Sequence, residues 1–112
     1  MELASHHSGA VNIITVHEAR IDASVAIRFK DEMRGLTAGG PAHVVLDLSN
    51  VQFIDSSGLG AIVAAMKQLP QGHRLDLAAL TPDVDKVFRL TRMDTIFAIH
   101  ASADAALHRA AG

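Results

Sequence analysis

The chain of 112 residues contains no cysteine, tryptophan or tyrosine, and only 4% of its residues are aromatic. Without cysteine it can form no disulfide, no thiolate metal site and no cysteine nucleophile, and a reducing cytoplasm is compatible with that absence. With a net charge of −2 and no tryptophan or tyrosine, it lacks the basic stripe and the stacking rings typical of nucleic-acid binding. We therefore expect no nucleic-acid partner.

Long apolar runs are also lacking. No stretch approaches the roughly 18 apolar residues of a membrane span. Residues 1–7 have no basic segment followed by an apolar core, as a signal peptide would. We therefore expect no membrane insertion and a cytoplasmic location. The 49% hydrophobic and 20% charged residues are ordinary for a folded protein, and we interpret residues 1–112 as one domain.

Strand and helix patterns alternate along the chain. Strand patterns occupy residues 2–6, 11–18, 43–48, 74–80 and 96–99. Helical patterns occupy residues 26–36, 58–69, 82–91 and the segment from Ser102 onward, and Gly35 together with residues 37–41 is predicted to end the first. The faces expected to be buried in the last two helices are Val84, Val87, Phe88 and Thr91, then Ala106, Leu107 and Ala110. The order predicts an α/β fold with parallel crossovers.

The most informative motif is Asp55-Ser56-Ser57-Gly58-Leu59-Gly60, which follows an apolar strand pattern and opens a helix. A helix N-terminus has unpaired N–H groups and a positive dipole end, so it accepts a capping hydroxyl or a phosphate oxygen. One serine hydroxyl would cap the helix while the other reacts. The alternative is that these polar residues only cap the helix, because Asp and Ser are common there.

Asp22 is expected to lie near this motif. Right-handed crossovers place the C-terminal ends of neighbouring parallel strands on one rim of a sheet, which is where open α/β sheets bind ligands. Asp22, Asp55 and Ser56 would then converge from two loops. The alternative is a pair of solvated loop carboxylates.

Three segments together resemble a STAS domain, the family of bacterial anti-sigma factor antagonists. They are Arg20-Ile21-Asp22-Ala23-Ser24, Val44 to Gly60, and Val87-Phe88-Arg89-Leu90. The resemblance implies a small mixed β-sheet with about four helices. It also implies that a partner kinase phosphorylates Ser56, near the loop residue Asp22. We take Asp55, Ser57 and Gly58 as further supporting residues.

The resemblance implies a partner-switching cycle. The unphosphorylated protein would bind an anti-sigma factor that is also a serine kinase, which frees the sigma factor. The phosphorylated protein would dissociate from the kinase, because phosphorylation adds about −1.5 to −2 charges beside Asp22 and Asp55. A serine phosphatase would then reset Ser56. This cycle needs no cofactor and no metal in the antagonist.

Two segments depart from the pattern of many family members. Ala19-Arg20 stands where a glycine often precedes the acidic residue, and Thr91-Arg92-Met93 stands where Ser-Gly-Leu is frequent. Arg20 and Arg92 would either meet a phosphate or an acidic partner, or lie solvated at the surface.

Other functions remain open on the sequence. A hydrolase is disfavoured because there is no Gly-x-Ser-x-Gly elbow, and a nucleotide loop because there is no Walker lysine. The seven scattered histidines lack zinc-enzyme spacing, so we expect no metal site and no enzyme. The main alternative is a STAS adaptor subunit of a lipid-transport or stressosome-type complex, without phosphorylation.

Overall fold

The computed structural model describes residues 1–111 and contains a five-stranded sheet, a two-stranded sheet and four helices. The strands are β1 (Leu3–Ser8), β2 (Val11–Val16), β3 (Arg20–Ile21), β4 (His43–Asp47), β5 (Phe53–Ile54), β6 (Arg74–Ala78) and β7 (Ile99–His100). The helices are α1 (Ala26–Thr37), α2 (Ser56–Lys67), α3 (Pro82–Leu90) and α4 (Ala103–Ala111). The predicted α/β class and the four helices are confirmed.

The five-stranded sheet is mixed and has the strand order β1-β2-β4-β6-β7. The β1 strand is antiparallel to β2, whereas each of the other neighbouring pairs is parallel. Parallel neighbours need crossovers, and helices supply them between β2 and β4 and between β4 and β6. The mixed sheet implied by the family resemblance is therefore confirmed.

Helices cover both faces of this sheet. One face packs against α1, α2 and α3 and forms the larger core, in which Phe29, Ile62 and Phe88 are fully buried. The other face packs against α4 and forms a smaller core around Val45 and Ala106. Because both faces are covered, β2 is apolar on both sides, as its sequence predicts.

The two-stranded sheet was not predicted. Arg20 pairs with Phe53 and Ile21 pairs with Ile54, in parallel. Strands of two residues are too short to show an alternating pattern, so nothing in the local sequence marks them. Their pairing puts Asp22 and Asp55 directly after two hydrogen-bonded strand ends.

The last strand was predicted wrongly at residues 96–99. A 3₁₀ turn occupies Met93–Thr95, and the strand β7 is Ile99–His100. Phe97 is buried and meets the ring of Phe88 edge-on, with 6.3 Å between centroids. The apolar residue Phe97 therefore packs its ring into the core and does not belong to a strand.

Three details of the helices also differ from the predictions. Gly35 lies inside α1, so the predicted end at this glycine is wrong, whereas the predicted end at residues 37–41 is confirmed because α1 stops at Thr37. The Thr37 hydroxyl donates to the carbonyl of Met33 at 2.8 Å. Thr91 lies beyond α3 and is exposed, and Ala110 faces solvent on α4. Both exposed residues lie at helix ends, where the apolar periodicity of the sequence continues beyond the turns that pack against the core.

Among residues 1–111, no helix is long and apolar enough to cross a membrane.

Candidate functional site

The first turn of α2 is capped by a carboxylate. Asp55 has extended backbone angles, and its Oδ1 accepts a hydrogen bond from the N–H of Gly58 at 2.9 Å. The prediction that a serine hydroxyl caps this helix is therefore wrong, because the residue before the serines already does so. Ser56 and Ser57 lie in the first turn with exposed side chains, and neither hydroxyl has a hydrogen-bond partner within residues 1–111.

The same carboxylate ties the two loops of the site together. Asp55 Oδ2 accepts a hydrogen bond from the N–H of Ala23 at 3.3 Å, and the N–H of Asp55 donates to the carbonyl of Ile21 at 3.4 Å. The loop that contains Asp22 is thereby held against the start of α2. The two loops meet as predicted, through Asp55 rather than through Ser56.

Gly58 allows this close approach. A Cβ atom at position 58 would lie 1.9 Å from the carbonyl oxygen of Ile21 and 2.9 Å from Cγ1 of Ile54. Both distances are far shorter than van der Waals contact, so only glycine fits between α2 and the two-stranded sheet. Its role in the site is to let the first turn of α2 rest directly on β3.

The carboxylate of Asp22 is engaged within its own loop. Its Oδ1 accepts from the hydroxyl of Ser24 at 2.6 Å and from the N–H of Ser24 at 3.0 Å. Its Oδ2 accepts from Nε of Arg20 at 3.3 Å. The hydrogen bond from the Ser24 hydroxyl is the largest cause of a lowered pKa for Asp22, so this group is an anion at neutral pH. No hydrogen bond joins Asp22 to Ser56 in the described residues.

Sequence reasoning missed two exposed apolar side chains on the elements of this site. Phe53 is 41% exposed, and Arg20 stacks on its ring with Cζ 4.1 Å from the centroid. Ile27, in the first turn of α1, is 70% exposed. The sequence signal for Phe53 was its position in segment 51–54. There Val51 and Ile54 are buried, and Gln52 and Phe53 between them are exposed. Exposed apolar groups around a polar centre are typical of a protein-binding surface.

Arg92 lies outside this site's hydrogen bonds. It occupies the start of the 3₁₀ turn with a left-handed backbone (φ +63°) and an exposed side chain. Of the two arginines singled out in the sequence, Arg20 is therefore the one built into the site. Its guanidinium contacts both Asp22 and Phe53.

The chemistry available at this site is that of an exposed hydroxyl. No histidine is hydrogen-bonded to Ser56 or Ser57 in the described chain, so neither serine has the adjacent base of a nucleophile. Residues 1–111 contain no group of three or more side chains placed to hold a metal ion. The arrangement instead presents two hydroxyls at a helix N-terminus, where a phosphate is electrostatically tolerated.

Comparison with known proteins identifies the family. Residues 3–106 match the STAS domain family. A Bordetella bronchiseptica protein, BtrV, named as a candidate anti-sigma factor antagonist, is 30% identical over 95 residues, covering 84% of this chain and 82% of BtrV. The crystal structure of an anti-sigma factor antagonist from Mycobacterium paratuberculosis superposes with a TM-score of 0.86 at 25% identity, covering 96% of this chain and 92% of that protein.

The fold alone does not separate the functions found within the family. A sulfate transporter family protein from Wolinella succinogenes superposes with a TM-score of 0.78 at 19% identity, covering 92% of this chain and 86% of that protein. The match over residues 3–106 includes the loop of Asp22, the motif at residues 55–60 and α3. The chain therefore belongs to the STAS domain family.

Proposed function

We propose that this protein is an anti-sigma factor antagonist in a partner-switching pathway and that its switch is phosphorylation of Ser56. The observation that carries the proposal is an exposed serine directly after the capping Asp55, in a chain whose relatives are named as such antagonists. A kinase needs an accessible hydroxyl. Because Asp55 already caps α2, modification of Ser56 leaves the cap intact.

The proposed partner in the unphosphorylated state is an anti-sigma factor with serine kinase activity. It would cover the exposed surface around Ser56, including the Phe53 ring and the Arg20 guanidinium stacked on it. Binding the anti-sigma factor would free the sigma factor in the cytoplasm. The antagonist itself would use no cofactor, contact no nucleic acid and catalyse no reaction.

Charge explains why phosphorylation would end the complex. A phosphoserine carries about −1.5 to −2 charges at neutral pH. It would share the surface with the ionised Asp22, whose pKa is lowered, and with the carboxylate of Asp55. A partner that desolvates this surface would have to bury uncompensated negative charge. A serine phosphatase would reverse the switch.

The first test identifies the phosphorylated residue. Incubated with its cognate kinase and Mg-ATP, the protein should gain one phosphate on Ser56, measured by intact mass and fragment spectra. Ser57→Ala is the matched control and should be phosphorylated like the wild type, because Ser57 is also exposed but is not the residue after the cap. A phosphate found on Ser57 would refute the assignment.

The second test measures the switch by isothermal titration against the kinase. Ser56→Ala should fold with a loss of no more than about 1 kcal/mol, because Asp55 provides the cap, and it should keep binding. Ser56→Asp should weaken binding by about 1 to 3 kcal/mol through added charge. Equal affinities of the three folded proteins would refute the switch and favour the adaptor function.

A third test concerns Asp22, which we propose to be a positioning residue. Asp22→Asn keeps the size of the side chain and removes its charge, so kinase recognition or phosphorylation should fall. Thermal melting should change little, because an amide oxygen can still accept the two hydrogen bonds from Ser24. Unchanged phosphorylation and binding would mean that Asp22 only shapes its loop with Ser24.

A further inference from the structure

A second polar cluster lies on the α4 side of the sheet, away from Ser56. It borders a cavity of about 370 Å³, where His43 and Arg74 are the first residues of β4 and β6. The cavity is lined by His43, Arg74, Asp76, Ala98, His100, Arg109 and Ala110. Three strands and α4 therefore contribute to one polar pocket, which the proposed switch does not use.

The buried carboxylate of Asp76 organises this pocket. Its Oδ2 lies 2.6 Å from Nη2 of Arg74, 3.0 Å from Nε2 of His43 and 2.9 Å from Nε2 of His100. Its Oδ1 accepts from Nε of Arg74 at 3.1 Å. Only 4% of the Asp76 side chain and 7% of the His100 side chain are exposed. Both carboxylate oxygens are thus occupied by the chain's own donors.

The groups that remain available in the pocket are cationic. The ion pair with Arg74 offsets the charge of Asp76, and Arg109 on α4 adds a second guanidinium. None of the ion pairs among residues 1–110 involves Arg109. With the charge of Arg74 offset by Asp76, Arg109 leaves the pocket with an excess of positive charge.

We propose that this cavity binds a phosphate-type oxyanion between Arg74 and Arg109, with His43 and His100 beneath it. Guanidinium groups present planar N–H donors that match phosphate oxygens. The cavity is larger than a single ion requires, so it also admits a small phosphomonoester. Among the described residues no phenylalanine ring lines it, and the chain has no tyrosine or tryptophan for base stacking, which disfavours a nucleotide. This site is independent of phosphorylation at Ser56.

The test is an NMR titration with inorganic phosphate at constant ionic strength, observed at the imidazole signals. His43 and His100 should shift and saturate, whereas the exposed His6 and His7 on β1 should not. Equal shifts with chloride, or no saturable shift of His43 and His100, would overturn the proposal.

A matched pair of variants tests whether Arg109 binds the phosphate. Arg109→Gln should weaken phosphate binding about tenfold, the scale of one charge-assisted hydrogen bond. Arg28→Gln removes the same charge from an exposed position of α1, beside the other sheet face, and should bind like the wild type. Circular dichroism checks that both variants are folded. An equal loss in both variants would show a general charge effect and refute the site.

A second titration with glycerol 3-phosphate distinguishes the two sources of the oxyanion. Tighter binding than inorganic phosphate, at the same imidazoles, would identify a phosphomonoester as the ligand. Equal binding would identify free phosphate. Either result supports the site, whereas a response to neither probe contradicts it.

Discussion

At the scale of single residues, Gly58 is the position where the site depends on one missing atom. Its Cα hydrogen faces the carbonyl of Ile21, and a Cβ in its place would lie 1.9 Å from that oxygen. The backbone of β3 cannot move away without breaking its pairing with β5. The glycine therefore links the start of α2 to the loop of Asp22.

The corresponding prediction compares two glycines of α2. Gly58→Ala should lower the free energy of unfolding by about 3 kcal/mol, because the added methyl group meets backbone rather than a movable side chain. Gly60→Ala is the control, since a Cβ atom added at position 60 would have nothing within 4 Å of it. It should stabilise the helix by about 0.5 to 1 kcal/mol. Urea unfolding of both variants measures the difference, and similar effects would contradict this account.

At the scale of elements, the connection from α3 to the 3₁₀ turn contains a strained residue. Arg92 has φ +63° and ψ 22°, a conformation that costs a non-glycine residue about 1 to 2 kcal/mol. By the family resemblance, Arg92 corresponds to the glycine of the Ser-Gly-Leu pattern. The departure in sequence therefore coincides with a left-handed backbone, which glycine adopts without that cost.

We expect Arg92→Gly to raise the free energy of unfolding by about 0.5 to 1 kcal/mol, because relief of strain exceeds the added flexibility of the unfolded chain. Arg92→Ala is the control. It removes the same side chain but keeps the Cβ, and it should give no gain. Thermal or urea unfolding reports both values. A glycine variant no more stable than the alanine variant would show that the turn is unstrained.

At the scale of the whole molecule, Asp76 joins three strands of the sheet. Burial raises the pKa of Asp76, but hydrogen bonds from Arg74, His100 and His43 outweigh it, so this pKa lies below the ordinary value of 3.8. A lowered carboxyl pKa stabilises the fold fully above the ordinary value. That contribution is lost as the pH falls through the lower, folded-state pKa.

Acid unfolding should therefore depend on Asp76. Asp76→Asn should cost about 1 to 3 kcal/mol at neutral pH, because Arg74, His43 and the buried His100 lose their anionic acceptor. Its stability should then fall less steeply than that of the wild type below about pH 4. Asp31→Asn, at an exposed position of α1, should keep the wild-type slope. Urea unfolding at a series of pH values measures this, and parallel slopes for Asp76→Asn and the wild type would contradict it.

The sequence by itself determined the alternation of strands and helices and the position of the motif at residues 55–60. These features depend on neighbours within a few residues, such as the helical spacing of Leu59, Ile62 and Met66. The sequence also carried the family resemblance, because Asp22 and the motif at residues 55–60 can be identified from the residues alone.

Tertiary structure alone decided that Asp55 caps α2, that position 58 has no room for a side chain, and that Asp76 is hydrogen-bonded to two histidines. Asp55 meets Ala23 across 32 residues, and Asp76 meets His43 and His100 across 33 and 24 residues. Local periodicity contains no information about such distant pairs. They form because packing of the sheet brings the strand ends together, and buried polar groups must then find partners within that packing.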